Sequence, residues 1–243
     1  MKLIYIVAGI ALFIKILIMP EATSNLSDIS ILKKVIENGI PEELKELAFL
    51  DISIAEIVST ESGVPNAVSG IIFRNRLYDT IMEVVVFSVA IMGCNYLLSN
   101  ENPSCTIYQF KDEPSIVLAR LGATIAALVG IELAIRGHLS PGGGFAAGVA
   151  AGTAIGLIAI TSSYHWMQDI YQRWNAAIWE KVSVLIFIVL AVLTLIGIEL
   201  PHGELGTLLS GGILPILNIL VAIKVALGSW AVLLMFIHYR GLL

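Results

Sequence analysis

The sequence predicts an all-α integral membrane protein with about six transmembrane helices and a tight, glycine-rich helical hairpin in its C-terminal half. Three observations carry that expectation. Hydrophobic residues make up 57% of the chain and charged residues 14%, with a mean hydropathy of +0.89. Such a composition lies outside the usual balance of soluble domains. Apolar runs of bilayer-crossing length recur along the chain, and small residues repeat every four positions in its second half.

A helix crosses the hydrocarbon core with about 20 apolar residues. Runs meeting that need lie near 3–19, 80–98, 115–135, 143–163, 179–199 and 213–238. The first follows Lys2 and is interrupted by Lys15, with no small-x-small cleavage site, so it reads as a retained helix rather than a signal peptide. Six spans put both termini on one side. Lys2, Lys111, Arg120, Arg173, Lys181 and Arg240 then face Arg74, Arg76 and Arg136 across the bilayer, which puts the termini inside.

Residues 20–79 form the one long extramembrane segment, with a surface helix over Glu42–Phe49 opened by Pro41. This segment is expected outside, capping or packing along its neighbours. A shorter polar break at Asn100–Pro114 divides the chain into a two-helix front, residues 1–99, and a four-helix back, residues 115–243. The net charge of −5 comes mostly from the 20–79 stretch and offers a polyanion nothing to grip, so nucleic acid is not an expected partner. Cys94 and Cys105 form neither a CxxC nor a metal-ligand spacing, and no metal site is expected.

Gly144, Gly148, Gly152 and Gly156 form one stripe of the 143–163 helix, and Gly122, Ala126, Gly130 and Ala134 do the same on the helix before it. Small residues at this spacing let helix backbones approach closely in lipid, where burial of apolar surface gives little drive. The short connection Arg136–Pro141 makes these two helices an antiparallel hairpin, and the two stripes are expected to face each other.

That connection and the helix start after it read Arg136-Gly137-His138-Leu139-Ser140-Pro141-Gly142-Gly143-Gly144-Phe145. Pro141 and the glycines shape a turn and open a helix, and no Gly-Lys-Ser/Thr follows to make a phosphate-binding loop. The string GHLSPGGGFAAG resembles the GHxxPGGGFxxG motif of the MnhB-type component of the multisubunit sodium/proton antiporters, the Mrp or Mnh type. The last helix adds to the resemblance, since Pro215-Ile216-Leu217-Asn218, Val221 and Ile223-Lys224-Val225 are similar to that family's terminal PxxN…V…K-V pattern. Its structural motif residues would be His138, Pro141, Gly142, Gly143, Gly144, Phe145, Gly148 and Gly152.

The front has its own resemblance. Ala67–Arg76, which holds Phe73 and Arg76, and then Asp79-Thr80-Ile81-Met82-Glu83 are similar to an FxxRxxDTxxE string at the end of the largest antiporter component, a piece that membrane-bound hydrogenases and sulfur-reducing relatives carry as a separate small subunit. Asn75-Arg76-Leu77-Tyr78 stands where that family commonly has a glycine-aromatic pair. The chain therefore resembles the two components joined.

Ionisable groups inside membrane helices cost about 2.5–3.5 kcal/mol each by insertion scales and mark ion paths or buried pairs. Lys224 lies deep in the sixth span, and two readings stand for it: a structural ion pair, or a member of a proton or ion path. In the inferred topology Asp79, Glu83, Glu132 and Glu199 fall near the outer helix ends and Asn218 somewhat deeper, sketching with Lys224 a hydrated half-path; the alternative for Glu199, as for His202, is an exposed loop-edge residue. Glu83 and Lys224 are the expected charge-changing pair. Glu132 has an alternative in an intrahelical pair with Arg136. His165 and His238, beside Trp166 and Tyr239, read as interfacial anchors.

No GxSxG, HExxH, haem or iron–sulfur spacing is present, so no catalytic site is read and whether the chain serves an enzyme stays open. Duplicated halves with broken helices, expected of a free-standing transporter, are not seen either. The resemblance implies a multi-pass component of a prokaryotic plasma membrane, partnered by other Mrp-type antiporter subunits, by hydrogenase-like or other redox subunits, and by lipid. It implies Na+ or H+ as transported ions and no bound cofactor. A non-conducting scaffold of the same complex is the rival reading.

Overall fold

A computed structural model describes residues 54–103, 107, 109–198 and 200–241. The expected span at 3–19, the surface helix at Glu42–Phe49 and the path residue Glu199 lie outside the described residues. Ser53–Leu243 make one compact unit. The described residues contain eight α-helices and no strand. They are α1 (Ile54–Ser62), α2 (Ala67–Gly70), α3 (Leu77–Leu98), α4 (Glu113–Arg136), α5 (Gly144–Ala159), α6 (Tyr164–Arg173), α7 (Ala176–Leu195) and α8 (Leu214–Arg240), with one π-helical turn at Ile71–Asn75 between α2 and α3.

Four of these helices, α3, α4, α7 and α8, are long and apolar enough to cross a membrane. The protein is an all-α membrane protein, and its described spans number about four rather than the five expected in this range. The difference lies at 143–163, where α5 has only 16 residues. At 1.5 Å per residue that is about 24 Å, short of a hydrocarbon core of roughly 30 Å. Polar side chains end it. Thr161 returns its hydroxyl to the Ile158 carbonyl at 3.2 Å, and Ser163 caps the next helix by accepting from the Trp166 N–H at 3.2 Å. The resulting α6 is short and polar on one face, burying Met167 while Trp166 stays exposed. Tyr164 of α6 stacks on His238 near the end of α8, with ring centroids 5.2 Å apart.

Helix α8 is the hub of the bundle, packing against α3, α4, α5 and α7. Its sequence allows this because apolar or small residues run all round it, and it buries Leu217, Val221 and Val225 along one stripe and Trp230, Leu234 and Ile237 on the opposite side. Pro215 at its first turn lacks an N–H, which would have had no intrahelical acceptor there, and its fixed φ suits the helix entry. Asp112 starts α4 by accepting from the Ser115 N–H at 3.1 Å, with Pro114 again in the first turn.

The hairpin of α4 and α5 forms as expected, but its glycine stripe faces elsewhere. A Cβ placed at Gly144 would meet Val221 at 2.7 Å, one at Gly148 would crowd Val225 and lie 2.9 Å from the Ala222 carbonyl, and one at Gly152 would lie 2.9 Å from Ser229. All three contacts are on α8. Toward α4 the helix presents alanines instead: a Cβ at Gly130 would lie 3.0 Å from the Ala147 carbonyl and 3.2 Å from the Ala151 N–H. Helix α5 thus has two small-residue faces, and the glycine one is spent on the tighter approach to the hub.

Candidate functional site

Lys224 sits ten residues into α8, about 15 Å along the axis at 1.5 Å per residue. Its side chain is 1% exposed and forms an ion pair with Glu180 of α7, whose side chain is 13% exposed. A charge in such surroundings persists only when paired, because burial removes its hydration. The ammonium also lies 5.5 Å from the ring centroid of Phe87 on α3, a cation–π distance. Phe87 in turn meets Phe145 of α5 edge-on at 6.3 Å. One lysine therefore gathers α7, α3 and, through two rings in edge-to-face contact, the first turn of α5. Phe145 is the last residue of the GHLSPGGGF string, so the motif reaches the buried charge through two aromatic side chains.

The rest of that string is clasped at the end of the bundle where α4 stops and α5 and α8 start. Asn218 donates from Nδ2 to the carbonyls of Leu133 at 3.1 Å and Ala134 at 2.7 Å. These are among the last four carbonyls of α4, which have no partner inside their own helix. From the other side, Asn66 donates to the carbonyls of Gly137 at 2.7 Å and Ser140 at 2.8 Å, and the Ser69 hydroxyl donates to Gly137 at 2.7 Å. The Asn66 N–H reaches the His138 carbonyl at 3.2 Å. Gly143, the residue before α5, has φ +135°, a region that side chains rarely adopt. Closeness sets Gly137 as well, since a Cβ there would lie 2.6 Å from Asn218 Nδ2.

His138 is 1% exposed, and neither ring nitrogen has a hydrogen-bond partner of ordinary geometry among the described residues. Burial holds its pKa below the usual imidazole value, with the nearby backbone of Thr207 and Leu208 pulling the other way. The loop before α8 closes over this end: Gly211 comes so near Val64 that a Cβ would collide with it, and Arg74 meets His202 at 2.6 Å.

The expected path residues fare differently. Asp79, Glu83 and Glu132 all lie within roughly 10 Å, along their helix axes, of that same end. Asp79 pairs with Arg76 at 2.5 Å, and Glu132 with Arg136 at 3.1 Å, the intrahelical pair that was its alternative. Glu83 is exposed, one turn before Phe87. The carboxylate that meets Lys224 is Glu180 and not Glu83, which was expected to change charge together with that lysine. Asn218 is buried and caps the end of α4. Sequence reasoning passed over Glu180 because Trp179 and Lys181 flank it, which reads as a membrane boundary. The available signal was charge parity, since a lysine deep in one span calls for a carboxylate on a neighbouring span. Among the described residues no group of three His, Cys, Asp or Glu side chains could hold a metal ion.

Replacing Asn218 with leucine keeps the side-chain volume and removes both donors. Each carbonyl of α4 left without a donor is expected to cost about 1–3 kcal/mol. Thermal unfolding in detergent followed by helical circular dichroism is expected to shift downward accordingly, and an unchanged melting temperature would show that water already serves those carbonyls.

Residues 114–231 match the family described as "Domain related to MnhB subunit of Na+/H+ antiporter". Among solved structures, a chain of the membrane-bound sulfane sulfur reductase, an archaeal respiratory membrane complex, is similar at a TM-score of 0.61 and 24% identity, with 89% of this chain and 98% of that chain covered. A chain of the Mrp complex from Dietzia sp. DQ12-45-1b is similar at a TM-score of 0.54 and 14% identity, covering 91% of this chain and 27% of that one. No curated protein matches the chain in sequence.

Proposed function

We propose that this chain, whose residues 114–231 form an MnhB-related domain, is a membrane subunit of a Mrp-type sodium/proton antiporter module within a redox-driven, hydrogenase-like respiratory complex of a prokaryotic plasma membrane. It helps to form the cation or proton path next to other antiporter-type subunits, with Na+ or H+ as the moving ion. The front, residues 1–99, corresponds to the end of the largest antiporter component, and residues 100–114 join it to the MnhB-like remainder. The buried Lys224–Glu180 pair carries this reading, because a charge at that depth is costly and marks a path or an assembly contact. Asp79, Glu83 and Glu132, gathered toward one end of the bundle, would feed ions toward it, with Asn218 shaping the route.

A second reading, the non-conducting scaffold, is favoured by one observation: Lys224 already has a full counter-charge and Asn218 spends its donors on capping. Purification through a tag on this chain, followed by proteoliposome assays of sodium-dependent proton movement, tests the first reading. Antiporter-type and redox subunits are expected to co-purify, and Glu83→Gln, which keeps shape but removes charge, is expected to slow the flux. A chain that purifies alone, or a Glu83→Gln complex with unaltered flux and ion dependence, would count against a path entering along α3.

A further inference from the structure

Helix α4 carries an exposed arginine with no counter-charge among the described residues, beside an apolar groove whose lining includes Trp230 of α8. Arg120 lies seven residues into a candidate membrane span, about 10 Å along its axis, and is exposed without an ion pair among the described residues. Ala123, Thr124 and Ala127 follow it at i+3, i+4 and i+7, so all four share one helical face. The last three line a groove of about 340 Å³ whose other walls include Ile155, Ile158 and Trp166. The groove runs between α4 and α5 and under α6. Its end is fixed by contacts near the start of α4, where the Phe110 N–H meets the Ile160 carbonyl at 3.3 Å and Gln109 Nε2 meets the Ser162 carbonyl at 2.7 Å.

The chemistry of the two parts differs, and a single occupant must satisfy both. Side chains on a helix lean toward its N-terminus, so the guanidinium of Arg120 extends toward the membrane boundary while its stem lies along the apolar face. Nearby carboxylates do not serve it: Asp112 is held by Ser115, and Glu113 is two turns away along α4. Trp166 is 50% exposed at the groove's mouth, the position amphipathic rings take at the headgroup level. An anion with a long apolar tail fits this arrangement, with the anion on Arg120 and the tail over Ala127 and Ile155.

We propose that this groove binds one anionic glycerophospholipid, its phosphate paired with Arg120 and an acyl chain lying between α4 and α5 beneath α6. Small residues keep the groove open: Ala123 and Ala154 are buried at its floor, and larger side chains there would fill the space of the chain. The site is separate from the Lys224–Glu180 pair and stands whether or not that pair conducts.

The test uses the complex purified through this chain into nanodiscs of phosphatidylcholine with a minor fraction of phosphatidylglycerol, with retained lipid counted by native mass spectrometry after detergent release. Wild type is expected to keep phosphatidylglycerol in preference to phosphatidylcholine. Arg120→Gln is expected to retain about fivefold less of it, the factor for one basic group at an anionic surface. Arg120→Lys, which keeps the charge, is expected to retain most of it, and Ala127→Leu, which fills the groove and leaves the arginine, is expected to lose it. Equal retention in wild type, Arg120→Gln and Ala127→Leu overturns the proposal. So does a fall in complex yield for Arg120→Gln with lipid content unchanged, which would assign the arginine to a carboxylate on a neighbouring protein of the complex.

Discussion

Lys224→Met is expected to lower the yield of assembled complex sharply, because it strands Glu180 between α7 and α8. Removing one partner of a buried pair costs about 3–5 kcal/mol, since the remaining charge keeps its burial and loses its attraction. The geometry fixes which carboxylate suffers, for Glu180 is 13% exposed and Lys224 is its ion-pair partner. Quantifying the assembled complex by native gel checks this. Full yield at neutral pH would mean that Glu180 has water or another cation beside it when Lys224 is gone.

Gly148→Leu is expected to disrupt the bundle at its hub. The backbone of α5 at this point lies so close to α8 that a Cβ already crowds Val225 and comes within 2.9 Å of the Ala222 carbonyl. Backbone cannot rotate aside as a flexible side chain can, so α5 must move off α8. Overpacking that shifts backbone costs about 1–3 kcal/mol and occasionally more, and in lipid there is no hydrophobic drive to bring the helices back. The hairpin contact of α5 with α4 is made by Ala147, Ala150 and Ala151 and is expected to survive. A cysteine pair bridging α5 and α8 should therefore lose its cross-link in the variant, while one bridging α4 and α5 keeps it. Gly156→Ala is the control, because its Cβ would meet Leu233 at 3.6 Å, an ordinary contact.

The sequence made the helices legible and left their faces ambiguous. Apolar length locates α3, α4, α7 and α8 to within a few residues because lipid imposes a length on any helix that crosses it. Thr161, Ser162 and Ser163 were polar enough to signal the early end of α5, yet three residues weigh little in a run otherwise apolar. The glycine stripe of α5 was visible, but a stripe does not say which neighbour it meets. Both α4 and α8 could have taken it, and the short connection to α4 pointed the wrong way. Polar residues in spans posed the same difficulty. Asn218 stood out by depth, but its use was set by the carbonyls of Leu133 and Ala134, 85 and 84 positions away in sequence. Lys224 was recognisable for the same reason, whereas Glu180, only four residues into α7, looked like a boundary residue. A lysine's long stem lets two groups at different apparent depths meet, and helix position alone does not reveal that reach.

Whether the buried pair takes part in ion movement or only holds helices together is decided most directly by removing both charges at once. In Lys224→Met combined with Glu180→Gln no charge is left stranded, so assembly is expected to return toward the wild-type level. Sodium-dependent proton flux, measured in proteoliposomes and normalised to assembled complex, then reports on conduction alone. The expected result is an assembled complex whose flux has collapsed. Wild-type flux with wild-type ion dependence in that assembled double variant would contradict a place for Lys224 and Glu180 on the path.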